Sequence, residues 1–382
     1  MRHFSDAEFA RRRQAVHRAM ADRGLDALLL FAPESQFWLT GYDTFGYCFF
    51  QCLVVPAAGE PVLLTRSADR RQAELTSTVG DIRVWRDRAG ADPAADLASL
   101  LAEMGLTGRR LGWETATHGL THANGRRVAE TVGATATLVD ASDLMGLLRL
   151  RKSAEEIDHV RQAAALADAA WDAALATARP GVSEAAVLAA MQGAVFEGGG
   201  GYPGNPFIIG SGERALLCRY QEGRRSLSAD DQLTLEFAGV HAHYHAALFN
   251  TLVIGTPRPD HIAMHAAARE ALEACEAAMV PGATMGAVFD AHARVLDGHG
   301  LGAHRLAACG YSLGPRFAPS WMEDQMFYEG APTVVEPGMV FFLHMILMNS
   351  ASGTAMCLGR TSRVGATAAE PLSRMPLDLA RV

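Results

Sequence analysis

The first part of the chain alternates amphipathic helices with short apolar strands. Ser5 and Glu8 form an S-x-x-E capping box ahead of an amphipathic run that ends near Gly24, and the apolar stretch LDALLLFA follows it. The stretches CLVVPA, PVLLT and RLGWE, with a helix predicted over 94–104, continue the alternation. This pattern predicts an α/β domain over residues 1–150.

A second capping box marks where the next domain begins. Ser153 and Glu156 open a long helix that is predicted to run to about Ala178. The polar segment LRLRKSAEEI, before and through this box, indicates a junction between domains. We therefore predict a second domain over residues 151–382.

The second domain contains a weak internal repeat. A helix is interrupted by a Pro-Gly pair just before Ser183, and the same pair recurs just before Thr284. Serine and threonine cap helix N-termini well, so these two residues predict equivalent helix starts. The repeat indicates two related halves within this domain.

Composition and charge narrow the classes of function. The chain has 382 residues, 49% of them hydrophobic, and a mean hydropathy of +0.06, values typical of an ordinary globular protein. A net charge of −8 without a long basic run argues against nucleic acid or an anionic membrane as a partner. No apolar stretch approaches the ~18 residues of a membrane span, and the N-terminus lacks an apolar signal core. We expect a cytoplasmic protein.

Six cysteines are scattered along the chain without a C-x-x-C pair. This spacing favours reduced, mostly buried thiols over a disulfide framework or a zinc site. Cys309 could be a nucleophile if His304 or His344 lay within hydrogen-bond reach, whereas an apolar setting would leave its thiol inert.

The stretch LEFAGVHAHYHAALFNT at residues 235–251 carries the densest candidate chemistry. Strand alternation places Glu236 on the face opposite Leu235 and Phe237. A glutamate in a buried sheet needs a partner or acquires a raised pKa, and either condition suits a general base or a carboxylate nucleophile. A structural ion pair with an arginine is the alternative interpretation.

Histidines alternate in the same stretch, and another lies in an apolar strand further on. His241, His243 and His245 would share one side of an extended segment, as in a row of metal ligands. We expect a turn at Gly239 to intervene, and hydrogen-bonded or solvent-exposed imidazoles are the alternative. His344, within VFFLHMILM, is by default a neutral core histidine.

Six segments, in order along nearly the whole chain, carry a family resemblance: FSDAEFARRRQAVHRAMADRGLDALLL, GYDTFGYCFFQCLVV, GGGGYPGNPFIIGSG, EFAGVHAHYHAALFNT, CGYSLGPRFAPSWMED and VEPGMVFFLHMILM. They resemble the creatinase branch of the pita-bread enzymes, and within it the ectoine hydrolases. The resemblance implies an N-terminal creatinase-like α/β domain followed by a C-terminal α+β pita-bread domain. In that second domain, two helical hairpins related by pseudo-twofold symmetry would cover one face of an antiparallel sheet.

The positions that hold two divalent metals in the pita-bread peptidases are all altered in this chain. The resemblance places at these positions Glu236, Ala247, Cys309, His344 and, approximately, Arg360. A dimetal site needs several carboxylates, and an arginine among them would repel the cations. We therefore expect no metal and no other cofactor.

The resemblance also implies roles for the site residues. Glu236 would attack the substrate or activate water, and His344 or His245 would shuttle a proton near neutral pH. Glu323 matches a glutamate of the creatinase loop. Arg219 stands where the family has a histidine, and its guanidinium would clamp a substrate carboxylate. The other predicted substrate-binding residues are Tyr244, Tyr311, Trp321, Phe45, Tyr47, Cys309 and Arg360.

These features together predict a metal-independent hydrolase of a C–N bond in a small amidine, guanidino or N-acyl amino-acid compound. The alternatives are an Xaa-Pro peptidase with metal, a lyase on the same fold, and a catalytically silent binding homologue. The resemblance further implies a homodimer in which the loop around Phe45 and Tyr47 closes over the partner's pocket. The expected partners are a small-molecule substrate and a second copy of the chain.

Overall fold

The computed structural model describes residues 2–382, and the chain divides into two compact units, Met1–Arg149 and Leu150–Val382. Each unit has its own sheet. No helix among residues 2–382 combines the length and apolarity needed to cross a membrane.

The first unit contains a mixed six-stranded sheet with helices between its strands. Strand β2 runs antiparallel to both of its neighbours, and the other neighbouring strands are parallel, in the order β4-β3-β2-β1-β5-β6. The predicted N-terminal α/β architecture is confirmed. Its elements are α1 (Asp6–Asp22), β1 (Ala27–Leu30), α2 (Pro33–Thr40), β2 (Cys52–Pro56), β3 (Val62–Arg66), α3 (Arg70–Thr76), β4 (Asp81–Trp85), α4 (Pro93–Glu103), β5 (Arg110–Trp113), α5 (His122–Thr131), β6 (Thr137–Asp140) and α6 (Ser142–Leu150).

The continuous apolar sequence of β1 follows from its central position in this sheet. Leu29 packs in one cluster of buried side chains with Val54 and Leu111, whereas Leu28 packs in a separate cluster with Leu53. Successive side chains of a strand point to opposite faces, so both faces of β1 are buried. An apolar residue is therefore favoured at every position of the strand.

The second unit contains an antiparallel sheet and two pairs of helices. The strand order is β11-β10-β12-β13-β9-β8-β7, and β14 pairs with β13. The predicted C-terminal pita-bread architecture is confirmed. Its elements are α7 (Ala154–Thr177), α8 (Glu184–Glu197), β7 (Ile208–Ser211), β8 (Asp231–His241), β9 (Tyr244–Ile254), α9 (Pro259–Ala278), α10 (Met285–Gly298), β10 (Ala308–Leu313), β11 (Met322–Tyr328), β12 (Val340–Asn349), β13 (Thr354–Val364) and β14 (Ala369–Pro371).

The internal repeat appears as two equivalent helix starts. Ser183 caps α8 and Thr284 caps α10, each through a side-chain oxygen that accepts a backbone N–H at 3.2 Å. Gly181 and Gly282 precede them with φ angles of 85° and 90°, a conformation that favours glycine. Each cap residue also forms an isolated β-bridge to a segment that follows its own helix. The Pro-Gly repeat therefore corresponds to a structural repeat.

The turn between β8 and β9 lies at Ala242 and His243, which have φ angles of 49° and 63°. Positive φ at both central residues is typical of the tight turns that suit hairpin twist. The predicted turn at Gly239 is wrong, because β8 continues through this residue, which pairs with Ala246. A Cβ atom at Gly239 would lie 2.0 Å from the carbonyl oxygen of Ala163 in α7, so glycine allows the helix to approach the strand.

Because α7 approaches the strand so closely, adding a single methyl group at Gly239 should strongly reduce the stability of the protein. We expect Gly239→Ala to lower the free energy of unfolding by about 3 kcal/mol, because α7 must move away from the sheet. Gly193→Ala is the matched control, since Gly193 lies inside α8 with no atom within 4 Å of an added Cβ. The control is expected to stabilise the protein by about 0.5–1 kcal/mol. Equal stability of the two variants in urea denaturation would show that α7 does not depend on this glycine.

Candidate active site

The two faces of β8 have different surroundings, as its sequence alternation predicts. The Phe237 ring stacks on Trp171 of α7, with ring centroids 6.4 Å apart. The Tyr311 hydroxyl lies 3.3 Å from a carboxyl oxygen of Glu236. We call the face that carries Glu236 the inner face, and the face that packs on α7 and α9 the helix face.

The inner face is strongly curved. Strand register places Glu236, Phe249, Gly359 and His344 in one row across β8, β9, β13 and β12. Three strands separate β10 from β8 in the sheet order, yet Tyr311 of β10 contacts Glu236 of β8. Since neighbouring strands are about 4.8 Å apart, a flat sheet could not bring these side chains together. The curvature thus encloses a site between the first and second halves of the unit.

Glu236 is a buried carboxyl at the centre of this site. Burial raises the pKa of Glu236 to about 7, while the Tyr311 hydroxyl and the charge of Arg219 lower it to a smaller extent. The thiols of Cys218 and Cys357 are close enough to interact electrostatically with this carboxyl. A carboxyl that titrates near neutral pH is suited to act as a general base.

Tyr311 and Trp321 form a hydrogen-bonded pair above Glu236. The Trp321 indole Nε1–H donates to the Tyr311 oxygen at 2.8 Å, and the Tyr311 hydroxyl donates to Glu236 Oε1 at 3.3 Å. Burial, followed by the charge of Glu236, raises the pKa of Tyr311 well above its usual value. The phenol therefore stays protonated and remains a donor to the carboxylate. The structure brings both predicted aromatic residues into the site.

Arg219 supplies a cation at the edge of the site. It follows the short 3-10 helix Gly212–Leu216 and is exposed. Its charge lowers the pKa of both Glu236 and Tyr311, which shows that the guanidinium is near them. In the part of the chain that the structure describes, this guanidinium makes no hydrogen bond or ion pair. It is available to bind an anionic group.

His344 lies on the inner face beside Tyr311, with ring centroids 5.5 Å apart. Its Nδ1 atom is buried and has no hydrogen-bond partner among residues 2–382. Burial lowers the pKa of His344 to about 4, with a smaller contribution from His292. The imidazole is therefore neutral at pH 7. The expected proton shuttle near neutral pH is not supported, and a neutral hydrogen-bonding role fits this environment.

His245 is engaged in a structural contact. Its Nε2 atom accepts the backbone N–H of Gly204 at 2.9 Å, and its ring lies 6.3 Å from that of Trp321. Burial, followed by the charge of His243, lowers the pKa of His245 to about 3. A neutral ring whose lone pair is already used is poorly placed to shuttle protons. The hairpin turn also separates His241 from His245, so the three alternating histidines do not form one row.

Glu323 lies on β11 and is buried with a cationic partner. Its carboxylate is 3.5 Å from the guanidinium of Arg316, and the two side chains are 5% and 11% exposed. A charge removed from water needs such a partner. This geometry favours a structural role for the loop glutamate.

Tyr244 and Arg360, both predicted to bind substrate, face away from the inner face. The Tyr244 hydroxyl donates to Glu156 of α7 at 2.7 Å. Arg360 makes two hydrogen bonds of 2.8 and 2.7 Å to Glu276 of α9. Gly359, one residue earlier, takes the inner-face position in the row of His344. Both predictions are corrected, because the residues belong to the contact between the sheet and its helices.

Cys309 also lies against α9. Its thiol interacts electrostatically with the Cys275 thiol of α9, and burial, the largest cause, raises the pKa of Cys309 well above the usual value. An uncharged thiol in this environment is a weak nucleophile. The structure therefore places Cys309 in the core and not in the substrate site.

Phe45 and Tyr47 belong to the first unit, in and beside the short 3-10 helix Gly46–Cys48. Phe45 is 75% exposed, whereas Tyr47 is half-buried. Burial raises the pKa of Tyr47 above its usual value. Their role as walls of a substrate pocket stays a prediction.

The donor set does not fit the two-metal centre of the pita-bread peptidases. Of the five altered positions, Glu236 and His344 present a donor to the inner face. Ala247 has none, and the side chains of Cys309 and Arg360 contact α9. Among residues 2–382, no group of three or more histidine, cysteine, aspartate or glutamate side chains is arranged to hold a metal ion. No catalytic step is therefore assigned to a metal here.

Sequence reasoning missed four residues near this site. Cys218 and Cys357 interact electrostatically with Glu236 and with each other. Gly204 and Asn205 contact His245 and the backbone of Trp321. The glycine-rich segment GGGGYPGNP is the available signal for the second pair, since glycines allow two loops to approach closely. For the two cysteines, the sequence offers no signal except that Cys218 directly precedes Arg219 in the chain.

Comparison with known proteins agrees with this architecture. The profile of metallopeptidase family M24 matches residues 158–364, and the profile of the creatinase/prolidase N-terminal domain matches residues 12–151. The uncharacterized hydrolase/peptidase y4tM of Sinorhizobium fredii is 28% identical over 392 residues, covering 99% of this chain and 98% of that protein. Ectoine hydrolase of Halomonas elongata is 27% identical over 356 residues, 88% of either chain.

A solved structure shows the same fold over the whole length. The crystal structure of dipeptidase PepE from Mycobacterium ulcerans superimposes with a TM-score of 0.86 and 25% identity, covering 99% of both chains. These three relatives are named as a hydrolase/peptidase, a hydrolase and a dipeptidase. The chain therefore belongs to metallopeptidase family M24, as a hydrolase with a creatinase/prolidase N-terminal domain.

Proposed function

We propose that this hydrolase cleaves a C–N bond in a small, carboxylate-bearing amidine, guanidino or N-acyl amino-acid compound without a metal ion. The observation that carries the proposal is the environment of Glu236. Its buried carboxyl has a pKa of about 7 and accepts a hydrogen bond from Tyr311, near an unpaired guanidinium. The altered ligand positions on the inner face support independence from metal. The likeness to ectoine hydrolase supports the substrate class.

Glu236 has the properties that a general base requires. Its carboxylate takes a proton from a water molecule as the water oxygen forms a bond to the substrate carbon. The C–N bond then breaks, and the protonated Glu236 returns the proton to the leaving nitrogen. Tyr311 keeps the carboxylate oriented, and the neutral His344 is placed to hydrogen-bond the substrate. These steps balance the protons without another acid.

The guanidinium of Arg219, which is unpaired among residues 2–382, leads to the prediction that a carboxylate group of the substrate determines its affinity. We expect Arg219→Gln to raise KM about tenfold for a carboxylate-bearing substrate, with kcat changed little, because the guanidinium binds a group remote from the reacting carbon. A solvent-exposed charge is screened, which keeps the effect moderate. Arg214→Gln is the control, since Arg214 is an exposed neighbour in the same segment. A loss of kcat with unchanged KM would contradict the assignment of Arg219.

The proposed function is tested by metal content together with turnover. We expect the purified protein to hydrolyse at least one of ectoine, 5-hydroxyectoine, creatine or N-acyl amino acids, with product formation measured by mass spectrometry. We also expect this activity to persist when a chelator is added. Stoichiometric manganese, iron or zinc with activity lost to chelator would support the alternative, a metal-dependent dipeptidase like the protein named PepE. That result would overturn the proposal.

A further inference from the structure

The hydrogen-bonded pair above Glu236 is supported by a glycine-rich loop at residues 200–207. The Asn205 side-chain oxygen accepts the backbone N–H of Trp321 at 3.2 Å. The neighbouring Gly204 donates its backbone N–H to His245 at 2.9 Å. His245 thus fixes the loop at Gly204. The next residue of the loop, Asn205, holds the segment that carries Trp321.

Packing shows that the two segments touch directly. A Cβ atom at Gly204 would lie 2.7 Å from the carbonyl carbon of Ser320 and 2.8 Å from the backbone nitrogen of Trp321. Such distances leave no room for a side chain, so backbone packs on backbone. Any shift of the loop therefore moves the indole, and the indole donates to Tyr311.

We propose that His245 and Asn205 are positioning residues, which hold Trp321 against Tyr311 and thereby direct the Tyr311 hydroxyl at Glu236. The inference rests on the proposed role of Glu236 as the base. Four hydrogen bonds, of 2.9, 3.2, 2.8 and 3.3 Å, carry the connection. This assigns His245 a function that needs an acceptor atom and no titration.

The groups that face Glu236 determine what a change in this network does. They are the hydroxyl of Tyr311, the guanidinium of Arg219 and the thiols of Cys218 and Cys357. Only the Tyr311 hydroxyl is held by the network described above. Because its hydrogen bond stabilises the carboxylate, a misdirected hydroxyl raises the pKa of Glu236. A change in this network should therefore shift the pH dependence of kcat/KM.

Two substitutions of His245 separate positioning from proton transfer. In His245→Gln, the amide oxygen replaces Nε2 as the acceptor for Gly204, and we expect kcat to stay within about tenfold of the wild type. In His245→Leu no acceptor remains, and we expect a loss of about 100-fold, with KM changed less. Equal losses of kcat in the two variants would show that the imidazole itself is needed, which overturns the proposal.

A pH profile tests the connection to Glu236. Trp321→Phe removes the Nε1–H donor but keeps an aromatic ring, and Asn205→Ala removes the acceptor for the Trp321 backbone. We expect both to move the acidic limb of the kcat/KM profile upward by about one pH unit. Trp171→Phe is the control, a buried tryptophan of α7 on the helix face, and should leave the limb in place. An unmoved limb in both test variants contradicts the proposal.

A measurement without substrate keeps this test independent of the proposed function. The pH dependence of the difference in unfolding free energy between wild type and Glu236→Gln reports the pKa of Glu236 in the free protein. The same difference is measured in the Trp321→Phe background. An upward shift of the titration supports the network, and no shift overturns it. If the wild type hydrolyses none of the trial compounds, the proposed function fails while this result still decides the inference.

Discussion

We expect Glu236→Gln to reduce kcat by about 10²- to 10⁴-fold on any compound that the wild type hydrolyses, because the amide cannot accept the proton of the attacking water. Substrate affinity is expected to change little, since Arg219 and the aromatic residues remain. Single-turnover measurements with mass spectrometry give the comparison. Turnover within tenfold of the wild type would exclude Glu236 as the base.

The same substitution has an expected effect on stability that depends on pH. Burial raises the pKa of Glu236 to about 7, above its usual value of about 4.5. Its contribution to stability is therefore fully present below pH ~4.5 and is lost as pH rises through about 7. Above pH 8 the ionised carboxylate destabilises the wild type by about 3 kcal/mol, because each tenfold change in proton affinity corresponds to ~1.4 kcal/mol.

Glu236→Gln removes this penalty, so its stability relative to the wild type should increase between pH 5 and pH 8.5. Urea denaturation at the two pH values measures the change. A relative stability that is the same at both pH values would show that Glu236 titrates at its ordinary value. An enzyme that is stabilised by loss of its base would be typical of a site in which function and stability compete.

We expect Arg360→Leu to lower the free energy of unfolding by about 3–5 kcal/mol, because it leaves Glu276 buried without its cation. The two side chains are 14% and 11% exposed and are joined by two hydrogen bonds. Ser362 donates a further hydrogen bond to the same carboxylate at 2.8 Å, which cannot replace the lost charge. The KM for any substrate should stay unchanged.

Arg363→Leu is the matched control on the same strand. Arg363 pairs with Glu370, and these side chains are 27% and 48% exposed. A surface ion pair of this kind contributes about 0–1 kcal/mol. If Arg360→Leu were as stable as this control and raised KM, Arg360 would belong to the substrate site after all.

Local sequence signals predict much of the fold because they act over a few residues. Ser153 and Glu156 form both bonds of the predicted capping box, and Ser183 and Thr284 cap the helices of the repeat. The alternation of side chains along β8 correctly predicts that Glu236 lies on the face opposite Leu235 and Phe237. Each of these features depends on neighbours in the chain, so the sequence alone is sufficient.

The errors concern contacts between distant segments. An offset of one residue in β13 exchanges Arg360 for Gly359 on the inner face, and such an offset is invisible until the strand is paired. Gly239 suggests a turn by its residue type, although it is required by the approach of α7. The low pKa of His344 depends on burial by elements far away in sequence. Register, helix approach and burial are tertiary properties, which local patterns do not contain.

The curvature that brings β10 against β8 has a consequence for the synthesis and folding of the protein. The first repeat supplies Glu236, the proposed base, and the second supplies its hydrogen-bonding partner, Tyr311, 75 positions further along the chain. Neither half by itself contains both members of this pair. During synthesis, Glu236 gains this hydrogen bond only after β10 has been made and has folded against β8. Under the proposed function, activity therefore requires that both halves of the second unit have folded together.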